Sequence, residues 1–281
     1  MNRFCHFSVL YADCMPYPVT EILENKTYRA QHGHLRQNDI ANKLKASKPQ
    51  TARSWYSFAR VLVRSRDLDD AESKLRENPN PGAHLFLEML GNQPEAFDGI
   101  WKTTGTRLEE YKARFETEWA PISDHVLSSL STLAKTEWGT DEIRVGFVDC
   151  LYGGFSWNDC VVLAPLPDSQ VEKKFLTHEL SELITPSSQV TEALLKAGFD
   201  PGITHTVVDM IAYFAVKDHL RKPDPLSPEK KGLRPNPNYY PSAEPLFPVF
   251  EKYATNPSAY PDFEAFLEEM ILGLGRSEQL G

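Results

Sequence analysis

The sequence predicts an α+β protein, a fold class that rests on three observations. Leu108, Tyr111, Phe115 and Trp119 recur at spacings of three and four, the period of one buried helix face. Two short apolar runs, Ile143 to Val148 (IRVGFV) and Cys160 to Ala164 (CVVLA), are rich in β-branched residues and bounded by turn residues, as strands are. From Ser169 onward, helix start and stop signals recur almost to the end of the chain.

Taken in order, the first element is a strand over Phe4 to Tyr11. Helical stretches follow at Gln37 to Ala46, Ala52 to Arg64 and Leu68 to Arg76, parted by polar and Pro-containing breaks. Asn78 to Gly82 (NPNPG) reads as a turn or linker, and helical character resumes at Ala83 to Leu90 and from Phe97. The long amphipathic pattern begins at Thr106. Pro121 predicts a kink or restart, because proline removes a helical N–H and crowds the preceding turn. Beyond it the pattern continues through Ile122, Val126, Leu130 and Leu133. The two strand runs come next, with Gly153 and Gly154 marking a turn between them and Pro165 and Pro167 ending the second.

Ser169 followed by Glu172 is a capping-box signature, so a helix is expected from there to Ile184, stopped by Thr185-Pro186. Further helices are expected over Val190 to Ala197, ended by Gly198, and over Thr204 to His219. Pro223 to Pro248 shows little periodicity and reads as a long loop, a kind of segment that is often functional. Short helices at Leu246 to Tyr253 and Pro261 to Leu274 finish the chain. Residues 1–95 are expected to be a mainly helical accessory region, and residues 96–281 the functional region.

Composition narrows the function. The 281 residues are 41% apolar and 25% charged, as in a globular protein with room for a sizeable core. A net charge of -9 argues against a general nucleic-acid partner, which needs a basic face to meet phosphates. No apolar run is long enough to span a bilayer, and the N-terminus reads as a strand rather than a signal peptide, so no membrane partner is expected. The four cysteines, Cys5, Cys14, Cys150 and Cys160, form no CxxC pair. They suggest reduced thiols in a cytoplasmic protein.

The stretch Thr177 to Pro186, THELSELITP, carries the chemistry. Residues four apart on a helix share a face, so His178 and Glu182 can grip one ion together. Imidazole and carboxylate are both good zinc donors, and catalytic zinc commonly takes three protein ligands. Glu179 follows His178 as the general base does in H-E-x-x-H. The later helix, THTVVD, offers His205 and, four residues on, Asp209.

Together, HELSE and HTVVD resemble the gluzincin clan of zinc metallopeptidases, the thermolysin-like group. In that clan a first helix carries H-E-x-x-H, and a second helix, some twenty residues on, carries a Glu as third ligand. In several of its families an Asp one turn after that Glu supports the first His. Here the two donor types are exchanged: Glu182 stands where the clan has His, and His205 stands where it has Glu. The resemblance covers about Ile143 to His219. It implies a zincin-like core, in which a small mixed sheet packs against the metal helices and Cys160 to Ala164 is the strand at the cleft edge. It further implies a zinc ion held by His178, Glu182 and His205, with Asp209 fixing a ligand imidazole from behind. The activity implied is hydrolysis of a peptide or protein substrate, with Glu179 as base.

A donor for the developing oxyanion is usually a Tyr or His near the cleft, and Tyr239, Tyr240 and His219 are the candidates. Two other readings stay open: a non-catalytic binding protein on a zincin-like scaffold, and a metal-dependent hydrolase of a non-peptide bond. His205 could also be a histidine satisfied by Asp209 without a metal. His32 and His34 read as a surface loop, and Cys150 and Cys160 as buried thiols. Ser156 lies in no G-x-S-x-G context, and there is neither a P-loop nor a G-x-G-x-x-G, so a serine hydrolase and a nucleotide site find no support.

Overall fold

A computed structural model describes residues 4–9, 68–79, 83–84, 87, 94–147, 154–157, 160–165, 169–219 and 243–278. In chain order the elements are β1 (Phe4–Val9), α1 (Leu68–Arg76), α2 (Pro94–Ala134), β2 (Glu142–Phe147), β3 (Gly154–Trp157), β4 (Cys160–Leu163), α3 (Ser169–Ile184), α4 (Ser187–Lys196), α5 (Ile203–Val216), α6 (Ala243–Thr255) and α7 (Phe263–Glu278). The protein is α+β, dominated by helix. Among the described residues no helix is long and apolar enough to cross a membrane.

The chain forms two compact units: residues 1–6, 117–143 and 166–281 make one, and residues 7–116 and 144–165 the other. The units interleave along the sequence. α2 runs unbroken from Pro94 to Ala134. Pro121 neither ends nor restarts α2; it is an exposed residue inside one long helix. Trp119 and Val126, on either side of it, are buried. Burial of an apolar stripe thus outweighs the one backbone bond a proline forfeits.

The strands belong to one sheet, in the order β1-β2-β4-β3. β2 runs parallel to β4, pairing Arg144 with Cys160 and Phe147 with Leu163. β3 runs antiparallel to β4, pairing Gly154 with Leu163 and Trp157 with Cys160. Two expectations change here. The segment read as a glycine-marked turn contains β3, whose GFSW alternates aromatic and small residues as a strand does. And β4 is not a cleft edge: it lies between β2 and β3, with both of its sides paired. All of β4 is buried, including Cys160, as suits a central strand. In the same unit Tyr111, Phe115 and Phe147 cluster, with the Phe147 ring edge-on to both others at 4.9 and 5.5 Å.

In the other unit, α5 is buried almost all round, from Thr206 to Ala212 and from Phe214 to Val216. It packs on α3, α4 and α6, and α6 packs on α7. A chain of aromatic contacts runs from α5 into the C-terminal helices: Phe214, Phe250, Phe266 and Tyr253 follow one another, with the Tyr253 and Phe266 rings stacked 3.9 Å apart. Tyr253 is fully buried, and its hydroxyl donates to the Leu133 carbonyl at 2.6 Å, tying α6 to the end of α2. Burial pushes its phenol well above the ordinary tyrosine value, which keeps it a donor. Tyr253→Phe is therefore expected to cost about 1–2 kcal/mol in a urea titration, because the Leu133 carbonyl loses its partner in a dry site. An unchanged midpoint would show that this bond contributes nothing.

Smaller differences follow from local chemistry. The Pro-rich stretch becomes helical at Ala243, with the exposed Pro248 inside α6. α7 starts with Asp262, whose carboxylate accepts the Ala265 N–H at 2.9 Å, an N-cap bond. α4 ends where expected, on Gly198, whose φ of +81° a side chain would strain. The segments read as helical at 37–46 and 52–64 lie outside the described residues, as do His32, His34 and Cys150.

Candidate metal centre

The site is built where α3 meets α5. α3 begins at Ser169 and stops at Ile184, before Thr185-Pro186, as its start and stop residues require. Its middle is buried on several sides: Leu176, Thr177, Glu179, Leu180 and Ser181 are all inaccessible, while His178 and Glu182 line a half-open face. α5 begins just after the Asp200-Pro201-Gly202 turn, in which the Asp200 carboxylate accepts the Gly202 N–H at 2.8 Å. His205 sits in the first turn of α5, at the rim, with its side chain 46% exposed. Asp209, one turn deeper, is buried.

These residues converge. His178 Nε2 lies 3.5 Å from Glu182 Oε1, and His205 Nδ1 lies 3.8 Å from the same oxygen. The two imidazole rings are 4.9 Å apart and nearly perpendicular. One donor atom from each of His178, Glu182 and His205 falls within 4.8 Å of the others, so the three could hold a metal ion. Tetrahedral zinc with bonds of about 2.0–2.1 Å places its donors about 3.3–3.4 Å apart. The two spacings at Glu182 need to close by only a few tenths of an ångström, and the imidazole donors, within 4.8 Å of each other, must draw in with them; the donor types suit the ion.

The other nitrogen of His178 is committed. His178 Nδ1 donates to Asp209 Oδ1 at 2.9 Å, which turns Nε2 toward Glu182 and His205. A carboxylate behind a ligand histidine fixes its tautomer and ring orientation. Burial would lower the His178 pKa, but hydrogen bonds to Asp209 and Glu182 and the charges of Asp209 and Glu179 outweigh it and push the ring up to about 10. The cluster therefore attracts positive charge, and a proton meets that demand when no metal does. Burial likewise opposes the ionised form of Asp209, yet the His178 hydrogen bond and the charges of His178, Lys174 and His205 hold its carboxyl below the usual range. Lys174 lies one turn before His178, and burial lowers its pKa against the pull of Asp209.

Glu179 occupies the position next to the ligand. It is buried, and its Oε2 has no hydrogen-bond partner. Burial pushes the Glu179 carboxyl up to about 8; the His178 charge works against this, while the charge and hydrogen bond of Glu182 and the charge of Asp209 add to it.

The structure thus brings His178, Glu179 and Glu182 of α3 together with His205 and Asp209 of α5, which follow them later in the chain. It does not bring His219 to them. His219 closes the 3₁₀ turn after α5, fourteen residues and about 21 Å along the helix axis from His205. There its ring lies edge-on to His125 at 4.6 Å, so an oxyanion role at this centre finds no geometric basis. Tyr239 and Tyr240 lie outside the described residues. Two neighbours escape a motif-based reading: Lys174, one turn before His178, and Ser181, the last spacer of HELSE. Spacing on the helix could have flagged Lys174, but nothing in the sequence says which residue of α5 Ser181 meets. The chain matches no family model, no curated protein and no solved structure.

Proposed function

We propose that this protein is a zinc-dependent hydrolase of peptide bonds on a zincin-like core, with His178, Glu182 and His205 as ligands and Glu179 as general base. One observation carries the reading: two imidazoles and a carboxylate converge on a single point while Asp209 takes the far nitrogen of His178. A chance meeting of charged residues explains the first part without the second. The peptide specificity rests on the likeness of HELSE and HTVVD to the gluzincin pattern; hydrolysis of another bond would use the same residues.

Zinc, when bound, would acidify a water and polarise the substrate carbonyl. The chain's own side chains do the rest. Asp209 keeps the proton on His178 Nδ1, leaving the Nε2 lone pair for the metal. Glu179 takes the proton of the attacking water on a carboxylate oxygen and hands it to the leaving amine. A carboxyl held near neutral pH, as burial holds this one, can both accept and release that proton. Leu180, Leu176 and Ile184 are buried on the same helix and keep α3 rigid beneath the reacting groups.

Metal removal tests the proposal. Protein purified without chelator is expected to carry about one zinc per chain. It should cleave members of a peptide library, lose that activity on dialysis against a chelator, and regain it when zinc is returned. Cleavage at full rate by protein stripped of metal would sink the reading.

A further inference from the structure

We infer that Ser181 is a positioning residue for this centre, its hydroxyl pinning α3 to α5 at the level where the two helices present their ligands. The inference rests on the metal reading above and adds to it a residue that touches no donor. Ser181 is fully buried, so it can meet neither substrate nor solvent. Its Oγ donates to the Val208 carbonyl of α5 at 3.0 Å and lies 3.3 Å from Thr185 Oγ1. Ser181 immediately precedes the ligand Glu182, and Val208 immediately precedes Asp209, the partner of His178. The bond therefore joins the two helices one residue away from both.

That placement matters because of what surrounds it. α3 and α5 pack extensively; apolar side chains such as Leu176, Leu180 and Ile184 on one and Val207, Met210 and Ile211 on the other share the buried surface with polar ones, and the His178–Asp209 hydrogen bond already ties the two helices at one point. Apolar contact sets how far apart two helices lie but tolerates a slide along the axis. A hydrogen bond is directional and does not. The metal site is sensitive to such a slide, since α3 supplies two donors and α5 the third, and a working site must be held within about 0.5 Å. The Val208 carbonyl lies inside α5, where one lone pair already serves the helix. Ser181 is thus not rescuing an orphaned carbonyl; its bond is a second directional tie beside His178–Asp209, and two such ties fix the register of the helices. Thr191 of α4 and Thr204 meet hydroxyl to hydroxyl at 2.9 Å, next to His205. The first turns of α5 thus carry polar ties to both α3 and α4.

Cobalt(II) binding provides the test, because its visible spectrum reports donor geometry independently of catalysis. The intact chain, stripped of metal and titrated with cobalt(II), should show the intense visible bands of a tetrahedral site. Ser181→Ala is expected to bind about tenfold more weakly, with weakened or shifted bands, as when an outer partner of a ligand is lost. Ser181→Thr, which keeps the hydroxyl, should restore the wild-type spectrum. Thermal unfolding of the three metal-free proteins separates register from stability, and the band positions should differ even where the melting points agree. Wild-type affinity and spectrum in a folded Ser181→Ala would overturn the inference, as would equal losses in Ala and Thr, which would make side-chain volume the cause. If the wild type binds no cobalt, the metal reading itself falls, an outcome distinct from either.

Discussion

Glu179→Gln is expected to retain metal and to lose hydrolysis by about 10²–10⁴-fold, the usual contribution of a positioned acid or base. The change keeps the shape of the side chain and removes its ability to take a proton. Nothing in the ligand set is altered, because the donors are His178, Glu182 and His205. Folding should survive as well: burial pushes the Glu179 carboxyl up to about 8, so near neutral pH the amide replaces a buried group that is already largely uncharged. The measurement pairs metal content with initial rates on a cleavable peptide. Metal retained with activity intact would remove Glu179 from the mechanism, and metal lost would move it into the ligand set.

His178→Ala and His205→Ala should each lower zinc affinity by more than the about 10–100-fold seen on losing an outer partner, since each removes a donor outright. Their effects on the fold should differ. Removing His178 also strips Asp209 of its hydrogen bond and leaves a buried carboxylate with only the charges of Lys174 and His205 near it, at a cost of about 1–3 kcal/mol. Removing His205, which is nearly half exposed, should leave metal-free stability almost unchanged. Equilibrium dialysis and urea unfolding of both variants separate the two roles. Affinity should also weaken as pH falls, because zinc must displace the proton that His178 holds in the free site. Undiminished zinc in both variants would end the swapped-ligand hypothesis.

Much of the fold could be read from local patterns. α1 spans Leu68–Arg76, the range its apolar spacing indicates, and α3 starts and stops at its cap residue and its proline. β3 escaped because glycines at its start signalled a turn more strongly than Phe155 and Trp157 signalled a strand. Pro121 does not restart the helix, because a proline's local cost is fixed while the burial that offsets it is not visible in a short window. The place of β4 between β2 and β3 is a property of the whole sheet, which no single strand encodes.

The candidate site divides the same way. Period and residue chemistry alone placed His178 and Glu182 on one helical face and Glu179 beside them, because a helix is a local structure with a known repeat. They likewise put His205 and Asp209 one turn apart on a second helix. Whether the two pairs meet is a matter of how α3 and α5 pack, and that depends on burial summed over both helices. Tertiary packing is also what separates His219 from the centre, although it shares a helical stretch with His205. It gives Asp209 to His178 rather than to its neighbour His205 and sets the Ser181 hydroxyl on the Val208 carbonyl. Sequence spacing governs neighbours within a helix; which helices become neighbours is decided by the core they bury together.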